Sequence, residues 1–143
     1  MRSFVKVGAV LGAFACGWVV CAATLQDKKV VFVDSAKAEF KAVAPGAAMA
    51  VVAGDPTKGK FAAFVKFDAG AKFDMHSHTS ASRIAGIKGA YVYKSKGGEE
   101  HRVGPGTFIS VPGGDHHLSG GDEKEGALFY MESDGAFDLI SDK

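Results

Sequence analysis

Short apolar runs, separated by turn-forming residues, dominate the chain from Lys28 onward. They are rich in β-branched and aromatic residues, which is typical of β-strands. The runs predicted as strands are VVFV (30–33), AMAVVAG (48–54), FAAFVKF (61–67), AYVY (90–93), TFISV (107–111) and ALFYM (127–131). One brief stretch, SAKAEFKAV (35–43), is instead predicted as a helix.

The segments between these runs carry strong turn signals, such as GDPTKG, SKGGEE, PGGD and SGGDEKEG. The 19 glycines among 143 residues suit a protein with many tight corners. Short strands joined by such turns predict an all-β domain, arranged as an antiparallel sandwich or a small barrel.

The first 23 residues have a different pattern. A positive head with Arg2 and Lys6 precedes an uncharged apolar stretch over 7–20, and the small residues of CAAT follow. This arrangement is typical of a secretory signal peptide, with cleavage after Ala22 or Ala23. We therefore predict a signal peptide at 1–23, a single domain at 24–143, and export, with the bacterial periplasm as the preferred compartment.

Two alternatives remain for this leader, an uncleaved anchor and lipidation at Cys16 or Cys21. The apolar stretch is short for a membrane span, which needs about 20 residues. Bulky Phe14 and Val20 also stand where lipidation motifs require small residues. These features favour cleavage, and no stable membrane insertion is expected after it.

Composition limits what the mature domain can bind. Cleavage after Ala23 removes both cysteines, so any metal ion must be held by histidine and carboxylate side chains. It also removes two positive charges, which turns 17 basic against 16 acidic residues into 15 against 16. A net charge near −1 gives no electrostatic reason to expect nucleic acid or an anionic membrane as partner.

The stretch DMHSH carries the first candidate chemistry. Alternate strand residues face the same side, so Asp74, His76 and His78 are predicted to project together. Two imidazoles in this arrangement can share one metal ion. A second cluster, His116 and His117, follows a predicted strand and the turn PGGD. Because neighbouring residues point to opposite faces, at most one of these two is expected to face inward.

The spacing of these residues resembles the two motifs of the cupin superfamily. Motif 1, about residues 70–89, is matched by Gly70, His76-Ser77-His78, position 82 and Gly89. Motif 2, about residues 106–121, is matched by Gly106, Pro112-Gly113-Gly114, His117 and position 121. The segment from Ala50 to His78 also resembles small, often exported, single-domain cupins of poorly characterised function. The resemblance implies a cupin-type β-barrel or jelly roll with both motifs at one mouth.

The resemblance also implies a metal site. His76, His78 and His117 match the histidine ligands of the family, whereas His116 falls on a position that carries no ligand. Cupins usually have glutamate where this chain has Ser82, and often asparagine where it has Gly121. Loss of that carboxylate leaves three neutral imidazoles, which favours one divalent iron or zinc ion, with nickel, copper or manganese as further candidates.

Four other polar residues near the motifs are either candidate site residues or structural and surface groups. Asp74 is the nearest acid and is a candidate for catalysis, for a fourth ligand position, or for an acceptor of an imidazole N–H. Its alternative is an ordinary exposed acid at a strand entrance. Asp115 is predicted to shape the turn before the histidine pair. Arg83 and His101 are predicted to be surface groups.

Two functions follow from the three-histidine site. The first is an exported metal-dependent enzyme, with dioxygenase-like or Lewis-acid chemistry on a small organic molecule. The second is a non-catalytic periplasmic domain that binds or senses a small molecule or a metal. A cupin that has lost its metal is the remaining alternative. The resemblance also implies pairing into a homodimer through edge strands, whereas the substrate stays open.

Overall fold

The computed structural model describes residues 30–142. Within this range the chain forms eleven β-strands and no helix, and no helix there is long and apolar enough to cross a membrane. The expected signal peptide, its cleavage site and both cysteines lie outside the described residues.

The strands follow one another along the whole described chain. They are β1 (Lys41–Ala44), β2 (Ala47–Gly54), β3 (Phe61–Phe67), β4 (Lys72–Ser77), β5 (Ser82–Gly89), β6 (Tyr91–Ser95), β7 (Glu100–Val103), β8 (Phe108–Val111), β9 (His117–Gly121), β10 (Ala127–Ser133) and β11 (Ile140–Ser141).

These strands form two antiparallel sheets. The first has six strands in the order β1-β2-β3-β10-β5-β8, and the second has five in the order β11-β4-β9-β6-β7. Neighbours within a sheet are often distant in sequence, as β4 and β9 are, so the chain passes repeatedly from one sheet to the other. The all-β prediction is confirmed, and the arrangement is a β-sandwich of jelly-roll type.

The core lies between the inner faces of the two sheets. Strand β10 shows the alternation that places it there: Ala127, Phe129, Met131 and Ser133 are buried, and the residues between them are not. Across the gap, the rings of Phe129 and Tyr91 lie 4.9 Å apart. Burial of such side chains, at about 25 cal/mol per Å² of apolar surface, holds the sheets together.

Two predicted elements are wrong. The helix predicted over 35–43 is a turn at 35–37 followed by strand β1. Asp34 makes this turn because its carboxylate accepts a hydrogen bond from Ala36 N–H (2.9 Å) and its carbonyl accepts one from Lys37 N–H (3.0 Å). The strand predicted over 30–33 does not form, and Val30 and Phe32 are exposed. The other five predicted strands overlap β2, β3, β6, β8 and β10.

Candidate metal centre

Three histidines from two separate segments of the chain meet on the inner face of the five-stranded sheet. His76 near the end of β4 is the direct cross-strand partner of His117 at the start of β9, and His78 lies just after β4. The ring centroid of His76 lies 4.4 Å from that of His117 and 5.0 Å from that of His78. The three residues offer ligand atoms within 4.8 Å of one another. The predicted convergence of these imidazoles is therefore present.

Asp74 does not share their face. The register between β4 and β9 shifts between Phe73 and His76, so strict alternation fails along this stretch. As a result Phe73 and His76 line the same cavity, whereas Asp74 is exposed and lines a separate surface groove with Lys72. The prediction that Asp74 projects beside the histidines is wrong. Only its backbone carbonyl reaches the site.

That carbonyl belongs to a set of three that orient the imidazoles. Nδ1 of His76 donates to Asp74 O at 2.6 Å, and Nδ1 of His117 donates to Asp115 O at 3.0 Å. Nδ1 of His78 donates to the carbonyl of Asp138, which is 60 residues away in the chain. A carbonyl oxygen only accepts, so each Nδ1 must carry the proton, and Nε2 of each neutral ring keeps its lone pair.

The surroundings of His78 and His117 favour the neutral form of these two rings. Burial lowers the pKa of His78 and of His117. His76 lowers the pKa of His78 further, and His76 and His78 together do so for His117. The hydrogen bonds to backbone carbonyls act in the opposite direction but are the smaller effect. Neutral imidazole is the form that binds a metal ion. His78 and His117 thus favour the protonation state that binds a metal ion.

The histidines open into a cavity of about 170 Å³. Its wall is mainly apolar and aromatic, with contributions from Val43, Phe67, Phe73, Ile84, Tyr91, Val111, Met131, Phe137 and Leu139. Serine hydroxyls interrupt this wall at positions 80, 82 and 119. Among the described residues no lysine or arginine lines the cavity, which makes it unsuited to a multiply charged anion.

Asp115 is the one carboxylate among the residues described in this wall. Its Oδ2 accepts a hydrogen bond from the hydroxyl of buried Tyr93 and lies 3.7 Å from Nδ1 of His117. Burial and this bond raise the pKa of Tyr93 to about 12, so the phenol stays a donor. The sequence predicted only a turn-forming role for Asp115 and missed its place in the cavity wall. Its position two residues before His117 was the feature of the sequence that could have indicated this.

Ser82 and Gly121 depart from the cupin pattern in different ways. Ser82 lies on β5 and lines the cavity, so the position that usually carries glutamate does face the site. At Gly121 an added Cβ would lie 2.7 Å from the carbonyl oxygen of Asp68. The glycine is required there because the backbones approach closely.

The remaining candidates lie outside the cavity wall. His116 is half exposed, and its Nδ1 lies 2.5 Å from Asp142 Oδ1. His101 is exposed on β7. Arg83 forms a surface ion pair with Asp134 at 2.9 Å.

The donor set fits a divalent transition-metal ion. Three imidazole nitrogens with free lone pairs suit iron, zinc, copper or nickel, and tight binding of harder ions is favoured by carboxylate oxygens that this group lacks. Each of the three Nδ1–H groups donates a hydrogen bond to a backbone carbonyl. Metal-binding histidines usually make such a bond with the ring nitrogen that does not bind the metal.

Comparisons with known proteins agree with this geometry. The family described as ChrR Cupin-like domain matches residues 28–136. The structure of KdgF from Halomonas sp. is 25% identical over 74% of this chain and 94% of that chain, with a TM-score of 0.59. No curated protein sequence matches the chain.

Two further structures share the fold at lower identity. The polyketide cyclase RemF from Streptomyces resistomycificus is 15% identical over 79% of this chain and 85% of that chain, with a TM-score of 0.65. Salicylate 1,2-dioxygenase from Pseudaminobacter salicylatoxidans is 21% identical over 64% of this chain and 27% of that chain, with a TM-score of 0.53.

Proposed function

The chain belongs to the ChrR cupin-like domain family, and from this membership we propose that it is an exported metal-dependent enzyme acting on a small organic molecule. His76, His78 and His117 hold one divalent ion, iron or zinc, with nickel, copper or manganese as further candidates. The observation that carries the proposal is the set of three Nδ1–H bonds to carbonyls, which leaves a free Nε2 lone pair on each of three histidines whose ligand atoms lie within 4.8 Å of one another.

The ion would supply Lewis acidity and, in the case of iron, dioxygenase-like chemistry. The chain's own residues do the rest. The apolar wall excludes water around the bound molecule, and the histidines leave coordination positions open to it. Tyr93 donates to Asp115 and holds that carboxylate at the wall of the cavity.

The lining also defines the molecule that fits. A cavity of about 170 Å³ with aromatic and aliphatic walls admits a compact, largely apolar compound. The absence of lysine and arginine from its described wall argues against phosphorylated substrates. Structural neighbours named as a polyketide cyclase and a salicylate dioxygenase support enzymatic work on small organic molecules.

Export and pairing are part of the proposal. The positive head and apolar stretch of residues 1–23 support secretion to the periplasm, and N-terminal sequencing of the periplasmic protein tests it. A homodimer, which edge strands of cupins often form, is tested by light scattering.

One observation favours a second function, a non-catalytic periplasmic domain that binds a metal or a small molecule. Ser82 stands where cupins usually carry glutamate, and Asp115 is already engaged by Tyr93. The described cavity wall therefore has no uncommitted carboxylate to act as a base.

Both proposed functions require that the three histidines bind a metal ion, and metal analysis of protein purified without added metal tests this. We expect about one ion per chain, its loss in His117→Ala, and its retention in the matched control His101→Ala, which removes an exposed histidine. Full metal content in His117→Ala would refute the site. Assays of oxygen uptake and of compound conversion with a panel of small diketones and thiols then separate the functions. A dioxygenase consumes oxygen and a Lewis-acid enzyme converts a compound without it, whereas the sensor does neither.

A further inference from the structure

The last described residues, 137–142, form a strap that we call the C-terminal clamp. It connects the end of β10 in the six-stranded sheet with β11 at the edge of the five-stranded sheet. At its start, Phe137 N–H donates to Pro56 O at 2.8 Å. At its end, Ile140 pairs with Ser77 and Ser141 with His76, so the clamp lies directly beside β4, the strand that carries His76.

The clamp completes the metal centre. Its Asp138 carbonyl accepts the Nδ1–H of His78, and this is the one acceptor of the three that is distant in sequence from its histidine. Phe137 and Leu139 line the cavity, and the Phe137 ring lies 5.4 Å from that of His78. The six residues of the clamp therefore both orient His78 and form part of the cavity wall.

Asp138 is fixed by the residue that follows His78. Its carboxylate accepts hydrogen bonds from Thr79 N–H at 2.9 Å and from Thr79 Oγ1–H at 2.5 Å. A second tie lies at the far end, where Asp142 contacts Nδ1 of His116 at 2.5 Å and Nζ of Lys96 at 3.3 Å. Side-chain bonds at both ends thus hold the clamp down.

Between these ties the clamp is weakly anchored. Its strand β11 has two residues, and Phe137, Leu139 and Ile140 are 40%, 48% and 49% exposed although they are large and apolar. A segment with few buried contacts and a short edge pairing opens locally at low cost while the sheets stay folded. Opening would remove the acceptor of His78 and part of the cavity wall together.

We propose that the C-terminal clamp gates the cavity and that Asp138 is a positioning residue, which turns His78 toward the ion when the clamp closes. The proposal rests on the metal-binding function proposed above. In the closed form His78 has its Nδ1 proton held and its Nε2 directed at the site. In the open form the ring is released, and ion and ligand exchange with solvent.

Two measurements on the full chain test this. Transfer of bound zinc to an excess of chelator reports the release rate. Residues that orient metal ligands typically change metal affinity by about tenfold or more, so the release rate should rise about tenfold in Asp138→Ala. Asp138→Asn retains a side-chain carbonyl that accepts the Thr79 N–H bond. Its zinc release rate should therefore lie between the rates of the wild type and of Asp138→Ala. The matched control is Asp134→Ala, which removes an exposed carboxylate with two hydrogen bonds to Arg83 and no contact with the histidines.

The second measurement uses the metal-free protein. Long-range proton–nitrogen NMR of the imidazoles should show His78 in its Nδ1–H form in the wild type and in Asp134→Ala, and a mixture of tautomers in Asp138→Ala and Thr79→Val. Unchanged zinc release and an unchanged tautomer in Asp138→Ala would overturn the clamp. Failure of the wild type to bind zinc would refute the metal-binding function instead, and the tautomer would still decide the role of Asp138.

Discussion

His76 and His117 face each other as direct cross-strand partners on β4 and β9, with ring centroids 4.4 Å apart. This pairing joins the first histidine motif to the second across 40 intervening residues. Because the ladder between the strands fixes the register, these two rings are positioned by the backbone, and His78 completes the group from the adjacent loop.

Ser82→Glu should change the preference of the site among metals. Ser82 lines the cavity, and a carboxylate there would add a negative oxygen donor to a wall that also carries the three imidazoles. Since carboxylates suit manganese better than imidazole does, we expect its affinity to rise about tenfold, measured by competition titration against zinc. Ser110→Glu, on the exposed face of β8, is the control and should leave the affinity unchanged. Equal manganese affinity in both variants would contradict the placement of residue 82 beside the ion.

Stability of the metal-free protein should fall in mild acid. Histidine titrates near pH 6.5 in the unfolded chain, and burial lowers the pKa of His78 and His117 in the fold. Below about pH 6.5 the unfolded state therefore binds more protons than the folded state, and the free energy of unfolding decreases as pH falls. Urea denaturation should give a lower midpoint at about pH 5 than at about pH 7.5.

Two variants assign this pH dependence. His117→Gln removes one of the buried groups and should flatten the curve, whereas His101→Gln removes an exposed histidine and should leave its shape unchanged. A wild-type midpoint that does not move with pH would show that the buried rings do not resist protonation.

Tyr93→Phe should destabilise the fold by about 2 kcal/mol, because it removes a buried donor to a charged acceptor. Its hydroxyl donates to Asp115, and the tyrosine itself is buried. The matched control is Tyr130→Phe, which removes a bond of 2.9 Å to exposed Glu132 and should cost about 0.5 kcal/mol or less. Urea denaturation measures both. Equal losses would mean that the link between Tyr93 and Asp115 adds nothing beyond a surface contact.

Gly121→Asn should destabilise the protein although it installs the residue common in cupins. Its Cβ would lie 2.7 Å from Asp68 O and 3.2 Å from Phe67 Cβ, so backbone must move, at a cost of about 2 kcal/mol or more. Gly97→Asn is the control. Gly97 has φ of +75° in an open turn, where asparagine is tolerated, and its cost should be below about 0.5 kcal/mol. Thermal unfolding that ranks the two in the opposite order would contradict the close approach at Gly121.

The sequence predicted the histidine cluster well because motif spacing reports which strand ends meet at one mouth. It failed at Asp74, since a single register shift in β4 reverses the faces and leaves no mark in the alternation of residues. It also missed Asp138, which acts through a carbonyl, and every residue has a carbonyl. The run at 30–33 has strand composition but pairs with no strand in the described structure, and composition does not reveal which segments find a partner.

The acceptors that orient the three imidazoles are all main-chain atoms. Substitutions among the side chains around them leave those oxygens in place as long as the path of the chain is kept. Evolution or protein engineering is therefore free to reshape the apolar wall of the cavity without rebuilding the contacts that orient the three imidazoles.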